Sequence, residues 1–256
     1  MTSALSYVYC IVASSGPLQT TKTPPGLPGT GAVRAVEIAP GRYLVVSDAP
    51  QPEFGEGPLT AKLSDLDWVS RAAVAHEAVT GSFMAGADAV VPLKLFTLFS
   101  NDERALAQIR SGWTRVERLI KRLNGQEEWG VRLVFDQSKA PAAADAAGSP
   151  SGRNYLLAKR AQQAASVKQS TAMRKAAGDV LKSLRPLSRD VRQRAITAPP
   201  ESRSRLLLDA AFLVPRAKAP RFRKSVEQRA KKIAAAGYAL QLTGPWPPYS
   251  FVEGNG

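Results

Sequence analysis

Near its end the chain reads Leu-Thr-Gly-Pro-Trp-Pro-Pro-Tyr-Ser-Phe-Val over residues 242–252. Three prolines remove three backbone donors, so this segment cannot form a central β-strand. Each proline also restricts the residue before it, and the backbone is therefore expected to be stiff and extended, like polyproline II. Such a backbone holds Trp246, Tyr249 and Phe251 at fixed positions, where the rings either cap the core of their own domain or dock a partner. We expect a rigid closing strap on the second half of the chain.

The residues before this segment predict an α+β domain. Residues 238–243 are predicted to form the last strand, after a helix over 222–236 that ends at Gly237, and residues 206–214 an earlier strand. From Asn154 to about Leu184 the sequence has no proline and is rich in helix-forming residues, which predicts a long helix. Its apolar stripe is sparse, so this helix either bridges solvent or packs on a partner. Pro186 is expected to end or kink it, and residues 188–196 are compatible with a further short helix.

Charge divides the chain into two halves. Residues 1–140 contain 14 Lys and Arg against 14 Asp and Glu, whereas residues 141–256 contain 21 against 7 and carry the whole net charge of +14. The change coincides with residues 140–152, a low-complexity run of Ala, Pro, Gly and Ser that is typical of a linker. We predict an N-terminal domain over 1–139, a linker over 140–152 and a basic C-terminal domain over 153–256.

The neutral half alternates predicted strands and helices. We expect a strand over 5–12, a loop over 14–31, a hairpin of 33–38 and 42–47 around Pro40-Gly41, and a second loop over 49–58. Next come a helix over about 65–83, begun by Ser64 and Asp67, and a strand over 90–100. They are followed by a helix from Asn101 or Asp102 to Leu123 and a strand over 128–135. This order of β, ββ, α, β, α, β predicts an α+β plait, one sheet with two helices on one face.

The residue inventory argues against an enzyme. Cys10 is the single cysteine, so the chain has no internal disulfide, and a buried strand position is the simplest reading for it. The single histidine, His76, is predicted on a helix face with a satisfied partner, and the adjacent Glu77 does not share that face. The carboxylate pairs at 102–103 and 127–128 are predicted to lie at the start of a helix and at the start of a strand. An enzyme with an unrecognised site is a third-ranked alternative that would need a pocket with convergent polar groups.

No run of about 18 apolar residues predicts a membrane span, and no basic residue precedes the apolar start, so we infer a cytoplasmic protein. The clustered cations of the second half fit three interpretations: solvated helix faces, a surface for an acidic protein partner or assembly, or a nucleic-acid interface. No RNA-recognition signature or helix-turn-helix accompanies them. Nucleic-acid binding through this half is therefore the rival hypothesis from another functional class.

Several segments together resemble the GvpF/GvpL family of gas vesicle proteins. Residues 244–252 resemble the family's C-terminal hallmark, with three prolines and three aromatic residues in the same order. Further similar segments are 7–12, 76–79, 154–160 and 211–214. Residues 91–99 resemble the strand where the family usually shows Pro-Leu-Arg-Phe-Gly-Thr, but here Lys94 replaces the arginine, and Leu95 and Phe96 stand in place of Phe-Gly.

The resemblance implies a two-domain α+β protein with a ferredoxin-like N-terminal domain. It implies a role in assembling gas vesicles, the buoyancy compartments of prokaryotes, as an assembly factor or minor structural component located at the vesicle in the cytoplasm. The expected partners are the shell protein and other accessory proteins; no cofactor, metal or catalytic residue follows. The motif positions that could contact a partner are Pro92, Lys94, Phe99, Tyr155, Lys159, Arg160, Gly244, Pro245, Trp246, Pro247, Pro248, Tyr249 and Phe251.

Overall fold

The computed structural model describes residues 4–18, 22–139, 152–196 and 204–252, without the side chains of 139 and 152–158. Helices and strands are mixed along the chain, which confirms the predicted α+β class. The strands are β1 (Ala4–Ala13), β2 (Arg34–Ala39), β3 (Arg42–Pro50), β4 (Ala89–Pro92), β5 (Leu98–Phe99), β6 (Gln126–Asp136), β7 (Asp190–Gln193), β8 (Ser204–Pro215) and β9 (Tyr238–Trp246). The α-helices are α1 (Gln51–Phe54), α2 (Glu56–Lys62), α3 (Leu66–Ser82), α4 (Asp102–Ser111), α5 (Trp113–Leu123), α6 (Gly152–Leu184) and α7 (Ala219–Ala234).

Contacts divide the chain into two compact units. The first unit contains the residues up to Glu128 together with those from Pro245 onward, and the second contains Trp129–Gly244. These boundaries differ from the predicted ones at 139 and 153. The residues 140–151 of the predicted linker lie outside the described part of the chain.

The first unit is built on an antiparallel sheet in the order β2-β3-β1-β4, with the short β5 also paired to β1. The predicted hairpin of β2 and β3 is confirmed. Its turn needs a glycine, because Gly41 has φ 67° and a Cβ there would lie 2.7 Å from the Ser14 carbonyl oxygen.

Helices cover both faces of this sheet. Tyr7, Tyr9 and Val12 of β1 share a core with α3, whose buried members include Trp68 and Val79. Helices α4 and α5 contribute no residue to this core; α4 contacts β2 and α5 contacts β4, at opposite edges of the sheet. They therefore lie on the other face, and β1 is buried at every position from Ser6 to Ala13. The expected arrangement of two helices on one face is wrong.

The strand predicted over 128–135 forms as β6, but it does not complete the first sheet. It pairs in a second, four-stranded sheet in the order β7-β8-β6-β9. The core of the second unit joins Trp129 and Leu133 of β6 to Phe212 of β8 and Phe222 of α7. Helix α6 is confirmed at its predicted length, yet Met173, Val180 and Leu184 are its buried residues among those described, and residues 159–169 are exposed.

Some local predictions are wrong for identifiable reasons. Within the loop predicted over 49–58, residues 51–54 form α1 and residues 56–58 begin α2. Pro52 does not prevent this, because it occupies the first turn of α1, where its missing N–H costs nothing. Residues 190–193 form β7 and not a helix, because they pair with β8. The helix predicted from 101 to 123 is broken at Gly112 into α4 and α5. The start of α3 is capped by Asp65, which accepts from two backbone N–H groups, and not by Ser64.

Candidate partner-binding groove

A buried histidine connects three of the segments of the first unit that carry motif residues, around Tyr7, His76 and Leu93. Nδ1 of His76 lies 2.7 Å from the Tyr7 hydroxyl and Nε2 lies 3.2 Å from the Leu93 carbonyl oxygen. Since a carbonyl only accepts, Nε2 carries the hydrogen and Nδ1 accepts from Tyr7. Burial lowers the pKa of His76 to about 4, although the bond to Leu93 opposes the shift. The ring is thus neutral at pH 7 with both nitrogens engaged, which confirms the predicted structural histidine.

The Tyr7 hydroxyl extends this network to the loop between β4 and β5. It accepts the backbone N–H of Phe96 at 3.2 Å. Phe96 has φ 62°, a left-handed conformation that favours glycine. This is the position where the resembling family usually shows glycine. The Phe96 ring stacks on Trp68, with centroids 5.4 Å apart and planes inclined by 9°, and this contact offsets part of the backbone strain.

The terminal segment is attached to the first unit by a carboxylate. Both oxygens of Glu128, which is 3% exposed, accept from Ser250, one from its backbone N–H and one from its hydroxyl, each at 2.8 Å. We call this contact between Glu128 and Ser250 the Glu128 clamp. Phe251, the next residue, is fully buried, and Pro247 and Pro248 are buried before it. The prediction of a closing strap on the second half is therefore corrected: residues from Pro245 onward pack in the first unit.

Tyr249 brings further polar groups to the clamp. Its ring centroid lies 6.3 Å from that of His76, and its hydroxyl lies beside Glu77 and Thr80. Within the described residues, neither the Tyr249 nor the Thr80 hydroxyl has a hydrogen-bond partner of acceptable geometry. Burial raises the pKa of Glu77 to about 7; the Tyr249 hydroxyl opposes this rise and the Glu128 carboxylate adds to it. A carboxyl group whose pKa lies close to neutral pH is thus found beside the strap.

The strap, the loop after β4 and helices α4 and α5 enclose a groove of about 670 Å³ in the first unit. Its walls are mostly apolar, with two cations, Lys94 and Arg115. The residues that line it are Ile11, Val91, Pro92, Leu93, Lys94, Thr97, Ile109, Arg115, Val116, Leu119, Tyr249, Ser250 and Val252.

Three predicted site residues, Pro92, Lys94 and Tyr249, meet in this groove. Phe99 is half-buried in β5, where it pairs with Ser6, and Phe251 is a core residue. The others do not line the groove: Gly244, with φ 116°, Pro245 and Trp246 belong to the edge strand β9, and Pro247 and Pro248 are buried after it. Lys159 and Arg160 are exposed on α6 in the second unit, and the side chain of Tyr155 lies outside the described ones.

Sequence reasoning missed two parts of this site. Ile109, Val116 and Leu119 recur at helical spacing, but their partial exposure in a groove depends on how α4 and α5 break at Gly112. Glu128 was read as a strand entrance, and its contact with Ser250 spans 122 positions of sequence. Because the contact joins distant residues, no local pattern in the sequence identifies it.

The described part of the chain shows no group of three or more His, Cys, Asp or Glu residues placed to hold a metal ion. Across the same residues, no helix has the length and apolarity needed to cross a membrane. Cys10 is fully buried, as predicted, and burial raises the pKa of its thiol.

Sequence comparison connects residues 5–253 to the family described as gas vesicle synthesis protein GvpL/GvpF. The chain is similar to gas vesicle protein L of Streptomyces sp. (strain CB03234), at 32% identity over 98% of this chain and 93% of the relative. It is also similar to gas vesicle protein F of the same strain, at 30% identity over 81% of this chain and 91% of that protein.

Two crystal structures share the fold. Gas vesicle protein GvpF from Anabaena sp. PCC7120 superposes with a TM-score of 0.73 at 20% identity, over 99% of this chain and 98% of that one. GvpF from Microcystis aeruginosa superposes with a TM-score of 0.69 at 17% identity, over 98% and 100% of the two chains.

Proposed function

Because the chain belongs to the GvpL/GvpF family of gas vesicle synthesis proteins, we propose that it takes part in vesicle assembly by binding the shell protein and other vesicle proteins. Family membership makes it a gas-vesicle-related protein and points to a non-enzymatic role. On this proposal it works at the vesicle in the cytoplasm, as an assembly factor or a minor structural component.

One observation of the molecule supports a binding role above all. Motif segments that are distant in sequence, around Pro92 and around Tyr249, meet at the same apolar groove. Folded monomers rarely leave a large apolar surface uncovered unless it binds something. A shell subunit that must polymerise through apolar faces needs a partner that masks those faces until assembly, and a groove of this kind suits that task.

Hydrogen bonds hold two walls of the groove in place, as expected of a preformed binding site. The His76 network fixes the loop on one side, and the Glu128 clamp fixes the strap. A site that is ordered before its partner arrives loses less conformational entropy on binding. The comparisons provide no support for the rival hypothesis of nucleic-acid binding.

Purified components can test this function directly. The full chain is immobilised, and the purified shell protein from the same vesicle gene set is passed over it, with an unrelated small apolar-faced protein as the control. We expect saturable binding of the shell protein alone, and loss of vesicles when the gene is deleted, with recovery on complementation. Normal vesicles in the deletion strain, together with no binding to any vesicle protein, would refute the proposal.

A further inference from the structure

Helix α6 extends beyond the core of the second unit. Val180 and Leu184 near its end belong to that core, and Met173 is the first of its described residues to be buried. Residues 159–169 are all exposed, and this run is about three turns long, so every side of the helix is open there. Helices take most of their stability from packing, and this part of α6 has no packing partner among the described residues.

The exposed part of α6 carries charge of one sign. Between residues 159 and 178 the chain has no acid and five cations, which are Lys159, Arg160, Lys168, Arg174 and Lys175. Lys175 pairs with Asp179, one turn further on, at 2.8 Å. The other cations have no ion-pair partner among the described residues. Their charge is therefore not balanced within the described part of the chain.

Helical spacing places part of this charge on one line along the helix. At about 3.6 residues per turn, a single stripe of α6 passes through Arg160, Ala164, Val167, Thr171 and Arg174. The stripe lies about 140° around the helix from the buried Met173, Val180 and Leu184, so it faces away from the core. We call this stripe the α6 seam.

The seam is apolar in its middle and cationic at its ends. Val167 is 60% exposed, and Ala164 lies one turn before it. Arg160 and Arg174 each lie about two turns from Val167, so their Cα atoms are about 21 Å apart. Lys168 flanks the middle. The alternating spacing of four and three residues is that of a coiled-coil stripe, which is shaped to pack against another helix.

From this pattern we propose that the α6 seam binds a helix of a partner protein that carries two acids about two heptads apart, with apolar residues between them. The apolar residues of that helix pack on Ala164 and Val167, and its carboxylates pair with Arg160 and Arg174. A guanidinium suits this role because its planar donors match a carboxylate. The inference rests on the proposed function only for the source of the partner, another vesicle protein; the chemistry of the helix follows from α6.

The seam disfavours two other occupants. A second copy of this chain would bring two cationic seams together, and like charges across an interface cost affinity. A nucleic acid rewards clustered cations and aromatic side chains that stack on bases, whereas the middle of the seam is alanine, valine and threonine. An exposed valine gains nothing from a hydrated phosphate, but it loses contact with water when a helix packs on it.

The test uses the full chain and designed fluorescent peptides, with binding followed by fluorescence anisotropy. The acidic peptide is a helix of about 22 residues with two Glu residues about 14 positions apart and Leu and Ala between them. A matched peptide carries Lys in place of both Glu residues. Duplex DNA and single-stranded RNA of similar length are the rival probes.

Three variants of the chain separate the parts of the seam. Arg160→Glu combined with Arg174→Glu reverses the charge at its two ends. Arg221→Glu combined with Lys224→Glu reverses two exposed cations of α7 and changes the net charge by the same amount. Val167→Gln removes the apolar centre without changing the charge, and Gln is at least as good a helix former as Val.

We expect the acidic peptide to bind the parent chain and the Lys peptide not to bind it. Reversal of both seam arginines should weaken the acidic peptide by about tenfold or more and create affinity for the Lys peptide, because close charge pairs are exchanged. The α7 reversal should change the affinity by about twofold or less, because it alters only the general field. Val167→Gln should weaken the acidic peptide by about threefold or more. Circular dichroism checks that each variant is folded.

Several outcomes would overturn the inference. Equal weakening by the two double reversals would mean that the acidic peptide senses only the net charge of the chain. An unchanged affinity in Val167→Gln would mean that no helix packs on the middle of the seam. Tighter binding of DNA or RNA than of the acidic peptide would assign the cations of α6 to nucleic acid.

The same variants separate this inference from the proposed function. The shell protein and the accessory proteins of its gene set are each passed over the immobilised parent chain and over the variant with both seam arginines reversed. If vesicle proteins bind the two chains equally, the seam inference is wrong and the assembly function stands. If the acidic peptide behaves as expected, but no vesicle protein binds the chain and vesicles form without it, the assembly function is wrong and the seam chemistry stands.

Discussion

The left-handed backbone at Phe96 makes a prediction whose sign is unusual. At an ordinary position, Gly is less stable than Ala by about 0.5–1 kcal/mol, because Gly loses more backbone entropy on folding. At φ 62° an L-residue is strained by about 1–2 kcal/mol, and Gly is not. The relief exceeds the entropic cost, so Phe96→Gly should be more stable than Phe96→Ala by about 0.5–1 kcal/mol.

Both variants should be less stable than the parent chain. Each removes the half-buried ring and its stack on Trp68, a contact worth about 0.5–1.5 kcal/mol beyond area burial. This loss is common to the two and cancels in their difference. The comparison therefore isolates the backbone conformation from the contact that accompanies it.

Leu95 provides the matched control because it precedes Phe96 in the same loop and its φ is not positive. Leu95→Ala should be more stable than Leu95→Gly, the reverse of the order at position 96. The assay is the urea dependence of far-ultraviolet circular dichroism for all four variants. If Phe96→Ala proves as stable as Phe96→Gly, or more so, the argument that this loop stores backbone strain is refuted.

Three further predictions concern the rest of the molecule. Burial lowers the pKa of His76 to about 4 from an ordinary value of 6.5, so the stability that the neutral ring contributes is complete above pH 6.5 and is lost as the pH falls towards 4. In urea titrations, the excess stability of the parent chain over His76→Gln should therefore shrink by on the order of 3 kcal/mol across that window, and a constant excess would contradict the prediction. Glu128→Ala removes the acceptors of Ser250, so amide hydrogen exchange at Ser250 should accelerate by about tenfold or more while exchange in the β2–β3 hairpin stays unchanged. Retained protection at Ser250 would mean that Glu128 does not hold the strap. A Cβ on Gly130 would lie 2.5 Å from Oγ1 of Thr243, so Gly130→Ala should cost about 1 kcal/mol more in the parent chain than in a Thr243→Ala background. Urea titrations of the four chains in this double-mutant cycle measure the difference, and additive effects would rule out the steric conflict.

Much of the local structure follows from the sequence because its causes are local. The pair Pro40-Gly41 predicts a turn between two strands, and β2 and β3 do form a hairpin there. Gly41 has the positive φ that such a turn requires. The proline-free run after Asn154 predicts α6. Gly237 has the left-handed conformation expected of a glycine after a helix, with φ 80°, although α7 already ends at Ala234. Backbone propensity, capping and turn geometry act within a few residues, so a single sequence reveals them.

Predictions fail where pairing or packing across the chain decides. Residues 190–193 carry a helix-compatible pattern but become a strand because β8 offers an edge. Helical spacing groups Leu66 with Val69 and Ala73, yet Leu66 is 80% exposed. Trp68 and Ala72 are buried instead, because they pack in the core that contains Tyr7 and Tyr9. Such outcomes depend on partners that are distant in sequence, and propensity does not encode them.

The terminal segment shows both kinds of determination. By itself the sequence determined that residues 244–248 could not be a central strand, and β9 indeed lies at the edge of its sheet, where prolines are tolerated. It also determined the family, because the order of prolines and aromatic residues is a property of the string alone. Only the tertiary structure decided that the strap packs in the first unit, since Glu128 and Ser250 meet across 122 positions. The groove beside it exists for the same reason: its walls come from four separated segments, and a cavity is defined by what surrounds it in space and not by any one segment.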